Sequence, residues 1–230
     1  MKAINLKTEY LENPIGIDVQ KPRLMWTCDG GMKQTAYRII AVSDGLTVWN
    51  SGKVMSDIMY AEYPHPLKSR QRVEWSITLW DENDKEGETV SAFFEMGLLS
   101  ATDWKAKWIT GNYSPKKNRR YPVDCFKKSF NAICVQKARL YITACGLYEA
   151  KLNGKRIGEF IFAPGSTDYR KRIQYQTYDV TDLIISGNND LTVELADGWY
   201  RGSSGAKGRT NIYGKQTKLY AQLELVGSDG

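Results

Sequence analysis

At 230 residues, 42% hydrophobic and 25% charged, the chain has the composition of an ordinary folded protein and the length for one large or two modest domains. No run approaches the about 20 apolar residues of a membrane span, so no membrane partner is expected. The net charge of +6 is uneven: through Ile109 there are 13 basic and 15 acidic side chains, and from Thr110 there are 19 and 11.

The beginning, MKAINLKTEY, lacks an apolar leader core and a small-residue cleavage site. The expected location is cytoplasmic, with secretion open if a leader was removed ahead of Met1. Of the four cysteines, Cys28, Cys134 and Cys145 lie among apolar residues and are expected to be small buried hydrophobes. With no Cys-x-x-Cys and a single histidine, His65, a zinc site is not expected.

The first hundred residues alternate short apolar runs with turn signals. Strands are expected at 4–10, 23–28, 35–43, 47–54, 72–81 and 89–96. Asn13-Pro14, Asp29-Gly30-Gly31, Asp44-Gly45 and the prolines at 64 and 66 punctuate them. In 72–81, Val73, Trp75, Ile77 and Leu79 alternate with polar residues, the pattern of a half-buried strand. Trp26, Trp49 and Trp75 supply aromatic area for a small core. This spacing predicts an immunoglobulin-like or fibronectin-III-like sandwich over 1–99.

Residues 96–109 form the expected joint, with a strand carrying Trp104, Ala106 and Trp108 opening a second domain, 100–230. Residues 113–124 are polar, basic and proline-punctuated, an exposed loop. Strands are expected at 126–130 and 135–143. In the latter, Leu140, Ile142 and Ala144 form one buried face against Arg139, Tyr141 and Thr143. A hairpin follows: Tyr148, Ala150 and Leu152 alternate, Asn153-Gly154 turns the chain, and 155–160 returns. Further strands are expected at 175–180, 190–196 and 218–226, the last with Leu219, Ala221, Leu223 and Leu225 inward. Between them lie a helical turn near 179–184 capped by Asp179 or Thr181, a turn at 186–189 and a long loop at 198–214. The fold class is all-β: two sandwiches, the second a jelly roll of the galactose-binding kind. The last residues, GSDG, have a turn composition that normally feeds another strand, so the second sandwich is expected to be truncated.

Trp104-x-Ala106-x-Trp108-Ile109, ARLYITACGLYEAKLNGKRIG, APGSTDYRKRIQYQTYDVTDLI and ADGWYRG occur in that order over 104–201. Together they resemble the N-terminal part of bacterial α-L-rhamnosidases, glycoside hydrolase family 78. VEWSITLWDENDKEGETVSAFFEMGLL resembles the fibronectin-III-like module that precedes it in that family. The resemblance implies hydrolysis of terminal α-L-rhamnose with inversion, by an acidic pair in a helical barrel domain well downstream. It therefore implies that this chain is a non-catalytic piece, with the downstream catalytic domain of the same protein as its partner. It also implies that rhamnose-containing carbohydrate is a ligand, since some members bind rhamnose with calcium through such a sandwich.

Inverting hydrolysis needs two carboxyls about 6.5–9.5 Å apart, one held protonated. The acids of the second domain, Asp168, Asp179, Asp182 and Asp197, sit at turns, loops or strand ends, and no catalytic pair is expected among them. Sugar sites combine an aromatic face with polar readers of hydroxyls. Asp197, Trp199, Tyr200 and Arg201 offer that set at a strand-to-loop transition, and Asp168, Tyr169 and Arg170 offer another. The bland reading is that these aromatic residues pack the sandwich edge. Calcium would need several oxygens. Asp168, Asp197 and loop carbonyls are the donors on offer, without an EF-hand pattern. No other cofactor is expected.

Basic groups at 116–120 and 170–172, interleaved with Tyr121, Tyr169, Tyr175 and Tyr213, invite a polyanion reading. No RRM, KH or helix-turn-helix pattern accompanies them, so no nucleic acid partner is expected. The leading expectation is a rhamnosidase N-terminal region that supports the catalytic domain. A stand-alone carbohydrate-binding module and a polyanion-binding protein are the alternatives.

Overall fold

The computed structural model describes residues 1–116, 119, 121–203 and 205–227. Lys117, Asn118 and Arg120 of the basic group, and the final turn beyond Gly227, lie outside the described residues. The chain divides into two compact units, Met1–Asp103 and Trp104–Gly230. Both are all-β sandwiches with little helix.

The first unit contains β1 (Lys2–Thr8), β2 (Ile15–Ile17), β3 (Arg23–Asp29), β4 (Ala36–Ser43), β5 (Leu46–Asn50), β6 (Val54–Met55), β7 (Tyr60–Glu62), β8 (Arg72–Trp80) and β9 (Val90–Met96). One sheet has the order β1-β3-β7 and the other β2-β9-β8-β4-β5, with β6 also on β4. Each expected strand is present within a few residues. The stretch 47–54 divides in two because Ser51 takes a ladder position: its hydroxyl accepts the Ile39 N–H at 2.8 Å. Strands β2 and β7 are three residues long, too short to show an alternating pattern. In β8, Val73, Trp75, Ile77 and Leu79 are fully buried and join Trp26 in the core, but Thr78 and Trp80 of the opposite face are buried too, so the strand is half-buried only in its first part. Trp26 Nε1 donates to Gln34 Oε1 at 2.8 Å. Trp49 is only partly buried, edge-on to Tyr63.

The second unit contains β10 (Asp124–Ala132), β11 (Val135–Cys145), β12 (Leu147–Leu152), β13 (Lys155–Arg156), β14 (Gln176–Asp179), β15 (Gly187–Ala196), one helical turn α1 (Gly198–Arg201) and β16 (Lys218–Gly227). Its sheets have the orders β10-β15-β12-β13 and β14-β11-β16. Leu140, Ile142 and Ala144 of β11 meet Ala150 and Leu152 of β12 and Val193 and Leu195 of β15 in the core between them.

Here several expectations are corrected. The segment after Asp103 is not a strand. It is extended chain with a single bridge between Ile109 and Leu219, and Trp104 and Trp108 both stack on Tyr220 at 4.8 and 4.9 Å. Strand β11 is buried on both faces, not one. It is the middle strand of its sheet, its Tyr141 is covered by Trp104 and Tyr175, and its Arg139 is paired with Asp179. The hairpin turn has positive φ at Asn153 and Gly154, as its sequence requires, but the return strand is two residues long. The expected turn at 186–189 is the start of β15, pinned by the buried Asn189. The 198–214 loop opens with α1. Leu225 is exposed; Cys134, at a positive-φ position between β10 and β11, is exposed and Cys28 half-buried, so of the three cysteines expected to be buried only Cys145 is.

Candidate functional site

The C-terminal end of β15 runs directly into α1, which carries Trp199, Tyr200 and Arg201 away from the sheet. Arg201 is only 5% exposed. Its Nε donates to Asp197 Oδ1 at 2.7 Å, Nη2 donates to the same oxygen, and Nη1 donates to the Tyr113 hydroxyl at 2.8 Å. The guanidinium also lies over the rings of Tyr121 and Tyr113, 5.3 and 5.8 Å from their centroids. Burial works against its charge, but the Tyr113 and Asp197 hydrogen bonds outweigh that and hold its pKa above the usual value.

The loop expected at 113–124 is exposed at Ser114, Lys116, Arg119, Pro122 and Val123, but these contacts hold two of its tyrosines in place. Tyr113 and Tyr121 stack at 4.7 Å and are half-buried. The Tyr113 hydroxyl reaches Asp124 Oδ2 at 3.2 Å, and the Tyr121 hydroxyl accepts the Lys116 N–H at 2.7 Å. The loop's described residues Pro115, Lys116, Arg119 and Tyr121 wall a cleft of about 640 Å³. Lys116, Arg119, Tyr121, Asp197, Arg201, Asn211 and Lys215 line it.

The other sequence-predicted residues distribute differently. Tyr169 is buried, with its ring centroid 5.3 Å from Tyr200 and 5.1 Å from Tyr213, and its hydroxyl donates to the Gly165 carbonyl at 3.1 Å. The two predicted stretches therefore meet through a tyrosine cluster, which is packing. Asp168 and Arg170 close a two-point ion pair on the surface, at 2.9 and 3.0 Å. Trp199 is 38% exposed and lies edge-on to the exposed Phe162 at 6.2 Å, apart from the cleft lining. Of the seven, only Asp197 and Arg201 line the cleft. The basic, tyrosine-bearing composition of 113–121 was the one sequence signal for its wall. Asn211 and Lys215 carried none.

Three carboxyls of this unit, Asp168, Asp179 and Asp190, are pushed toward the ionised form. The Arg170 hydrogen bonds lower the Asp168 pKa, and Ser129 with Lys127 lower that of Asp190. At Asp179 burial pushes upward, but the Thr181 hydrogen bonds and Arg139 outweigh it. Such sites suit structural ion pairs, not a general acid kept protonated. Of the calcium donors on offer, Asp168 and Asp197 are each ion-paired with an arginine, two and four residues on respectively. Among the described residues, no three His, Cys, Asp or Glu side chains gather as metal ligands.

Comparison with known proteins gives the arrangement its context. Residues 3–100 match the family model described as Rha78A-like, N-terminal immunoglobulin domain. Residues 134–230 match that of the α-L-rhamnosidase N-terminal domain. The chain belongs to the N-terminal region of the α-L-rhamnosidase family. An α-L-rhamnosidase of Formosa agariphila is 36% identical over 97% of this chain, which covers 26% of that protein. The solved α-L-rhamnosidase of Aspergillus terreus superposes with a TM-score of 0.92 at 31% identity, over 99% of this chain and 28% of its own. That from Dictyoglumus thermophilum gives 0.85 at 33%, over 100% and 28%. The rhamnosidase-type region thus spans about a quarter of the length of the relatives it matches.

Proposed function

We propose that this chain is the N-terminal accessory region of an enzyme that hydrolyses terminal α-L-rhamnose from glycosides. It supports the catalytic part and receives rhamnosyl substrate in the cleft beside Asp197 and Arg201. The observation that carries the reading is the ordered match of both units to rhamnosidase N-terminal domains, in relatives of which the chain covers 23–40%. The electrostatics of the second unit agree with it. Inverting hydrolysis requires one carboxyl kept protonated opposite another, and Asp168, Asp179 and Asp190 are all shifted the other way.

Two measurements test the reading. This chain alone, given an aryl α-L-rhamnoside, is expected to show no turnover; sustained release of the aryl group overturns the accessory role. Calorimetry with L-rhamnose is expected to show saturable binding that Asn211→Ala weakens and calcium leaves unchanged. Absence of binding, or binding indifferent to Asn211, removes the cleft as the sugar site.

A further inference from the structure

The lining of the cleft is lopsided in charge. Among the described residues, Lys116, Arg119, Arg201 and Lys215 line it with a single acid, Asp197. Asp197 and Arg201 neutralise each other and are fixed in place. Lys116, Arg119 and Lys215 are exposed and, among the described residues, pair with no carboxylate. The second unit as a whole carries 21 basic and 11 acidic side chains, so its long-range field reinforces the local one.

The cleft also lacks what a neutral sugar site uses most, an open aromatic face. Tyr121 is stacked on Tyr113 at 4.7 Å, with Arg119 and Arg201 at 5.4 and 5.3 Å from its centroid. The exposed aromatic patch of Trp199 and Phe162 stands elsewhere. What the cleft offers instead is cations, with Asn211 as a reader of hydroxyls.

We infer that the cleft selects carbohydrate carrying an anionic oxygen group, a carboxylate or a sulfate ester, adjoining the rhamnosyl unit. This rests on the cleft being the sugar site proposed above. Exposed ion pairs are individually weak, but three cations lining one cleft, unpaired among the described residues, together give an advantage of about tenfold in affinity at low salt. Screening by salt removes most of it, because the cations are exposed.

The test is calorimetry of the full chain with three probes: a rhamnosyl-glucuronic acid disaccharide, its methyl ester and a rhamnose sulfate ester. At about 20 mM NaCl the acid is expected to bind about tenfold more tightly than the methyl ester, and at about 500 mM within about twofold. The triple variant Lys116→Ala, Arg119→Ala, Lys215→Ala should abolish that gap. Because the three side chains are exposed, its melting curve should match the parent's. A gap for the sulfate ester over free rhamnose, without one for the acid, identifies the anion as sulfate. Equal binding of acid, ester and sulfate at low salt overturns the anion selection while leaving the sugar site standing. No binding of any probe overturns both. A single-stranded oligonucleotide that outcompetes the acid also overturns it, in favour of a nucleic acid surface.

Discussion

Arg201 and Asp197 form an ion pair across one helical turn in which two guanidinium nitrogens share a single carboxylate oxygen. The pair is asymmetric. The Arg201 side chain is 5% exposed and that of Asp197 33%. Removing the acid strands a buried cation, whereas removing the arginine leaves a carboxylate that water can reach. Asp197→Ala should therefore cost about 2 kcal/mol, below the about 3–5 of a fully buried pair. Arg201→Met, which keeps the stem, should cost about 1 kcal/mol. Thermal unfolding of both variants checks the order. A larger loss for Arg201→Met would mean that ring packing on Tyr113 and Tyr121, not charge, holds the turn.

Asn189 is fully buried at the start of β15, and its side chain is saturated. Oδ1 accepts the Ile185 N–H at 2.9 Å and Asn153 Nδ2 at 2.8 Å; Nδ2 donates to the carbonyls of Ile185 and Gly187. Asn153 in turn accepts the Asp190 N–H, so the hairpin tip is tied to β15 through two amides. Asn189→Ala should cost about 3 kcal/mol by leaving several buried polar groups unmatched. Asn189→Asp should cost at least as much, because the two donors become acceptors facing carbonyls. Urea unfolding reads both. A loss under about 1 kcal/mol for either would show that water replaces the amide.

The fold was more legible than the site, for a physical reason. A strand such as β8 announces itself because its first part, buried on one face, imposes a period of two on Val73, Trp75 and Ile77. Burial on both faces leaves no such trace, so Tyr141 and Arg139 passed as surface residues until Trp104, Tyr175 and Asp179 were seen to cover them. The ordered motifs of 104–201 pointed to the right family, but they mark residues that build the sandwich. Tyr169 and Tyr200 pack together, and Asp168 closes on Arg170 two residues away. The cleft depends on Lys116, Arg119, Asn211 and Lys215, brought together by two loops nearly a hundred residues apart in sequence. No spacing rule reaches that far.

Asp179 links pH to stability. Its pKa in the folded chain lies below that of the unfolded one: burial raises it, but the Thr181 hydroxyl and N–H and the Arg139 guanidinium lower it further. A depressed carboxyl pKa stabilises the fold above its unfolded value, and the contribution is lost as pH falls through the folded value. The window is therefore below about pH 4. Asp179→Asn should destabilise the chain at pH 7, and the difference should shrink towards zero near pH 3. Urea titrations of parent and variant at the two pH values check it. A difference of the same size at both would show that Asp179 acts through its hydrogen bonds to Thr181 alone.

Two glycines separate backbone strain from collision. Gly154, at the hairpin tip, has φ +78 with nothing within 4 Å of where a Cβ would stand. Gly154→Ala should cost only the left-handed conformation, about 1 kcal/mol. Gly146, between β11 and β12, has φ +147, and a Cβ there would stand 2.4 Å from the Ala196 carbonyl oxygen. That oxygen belongs to the last residue of β15, whose pairing with Leu147 fixes where α1 begins. Gly146→Ala must therefore push β15 away from β12 and should cost about 3 kcal/mol. Because Asp197 follows directly, the same substitution should also loosen the Asp197–Arg201 pair. Hydrogen exchange at the Arg201 amide, which donates to the Asp197 carbonyl, is expected to accelerate in Gly146→Ala and not in Gly154→Ala. Equal exchange in the two variants would mean that the turn at 197–201 is anchored by the tyrosine rings and not by the end of β15.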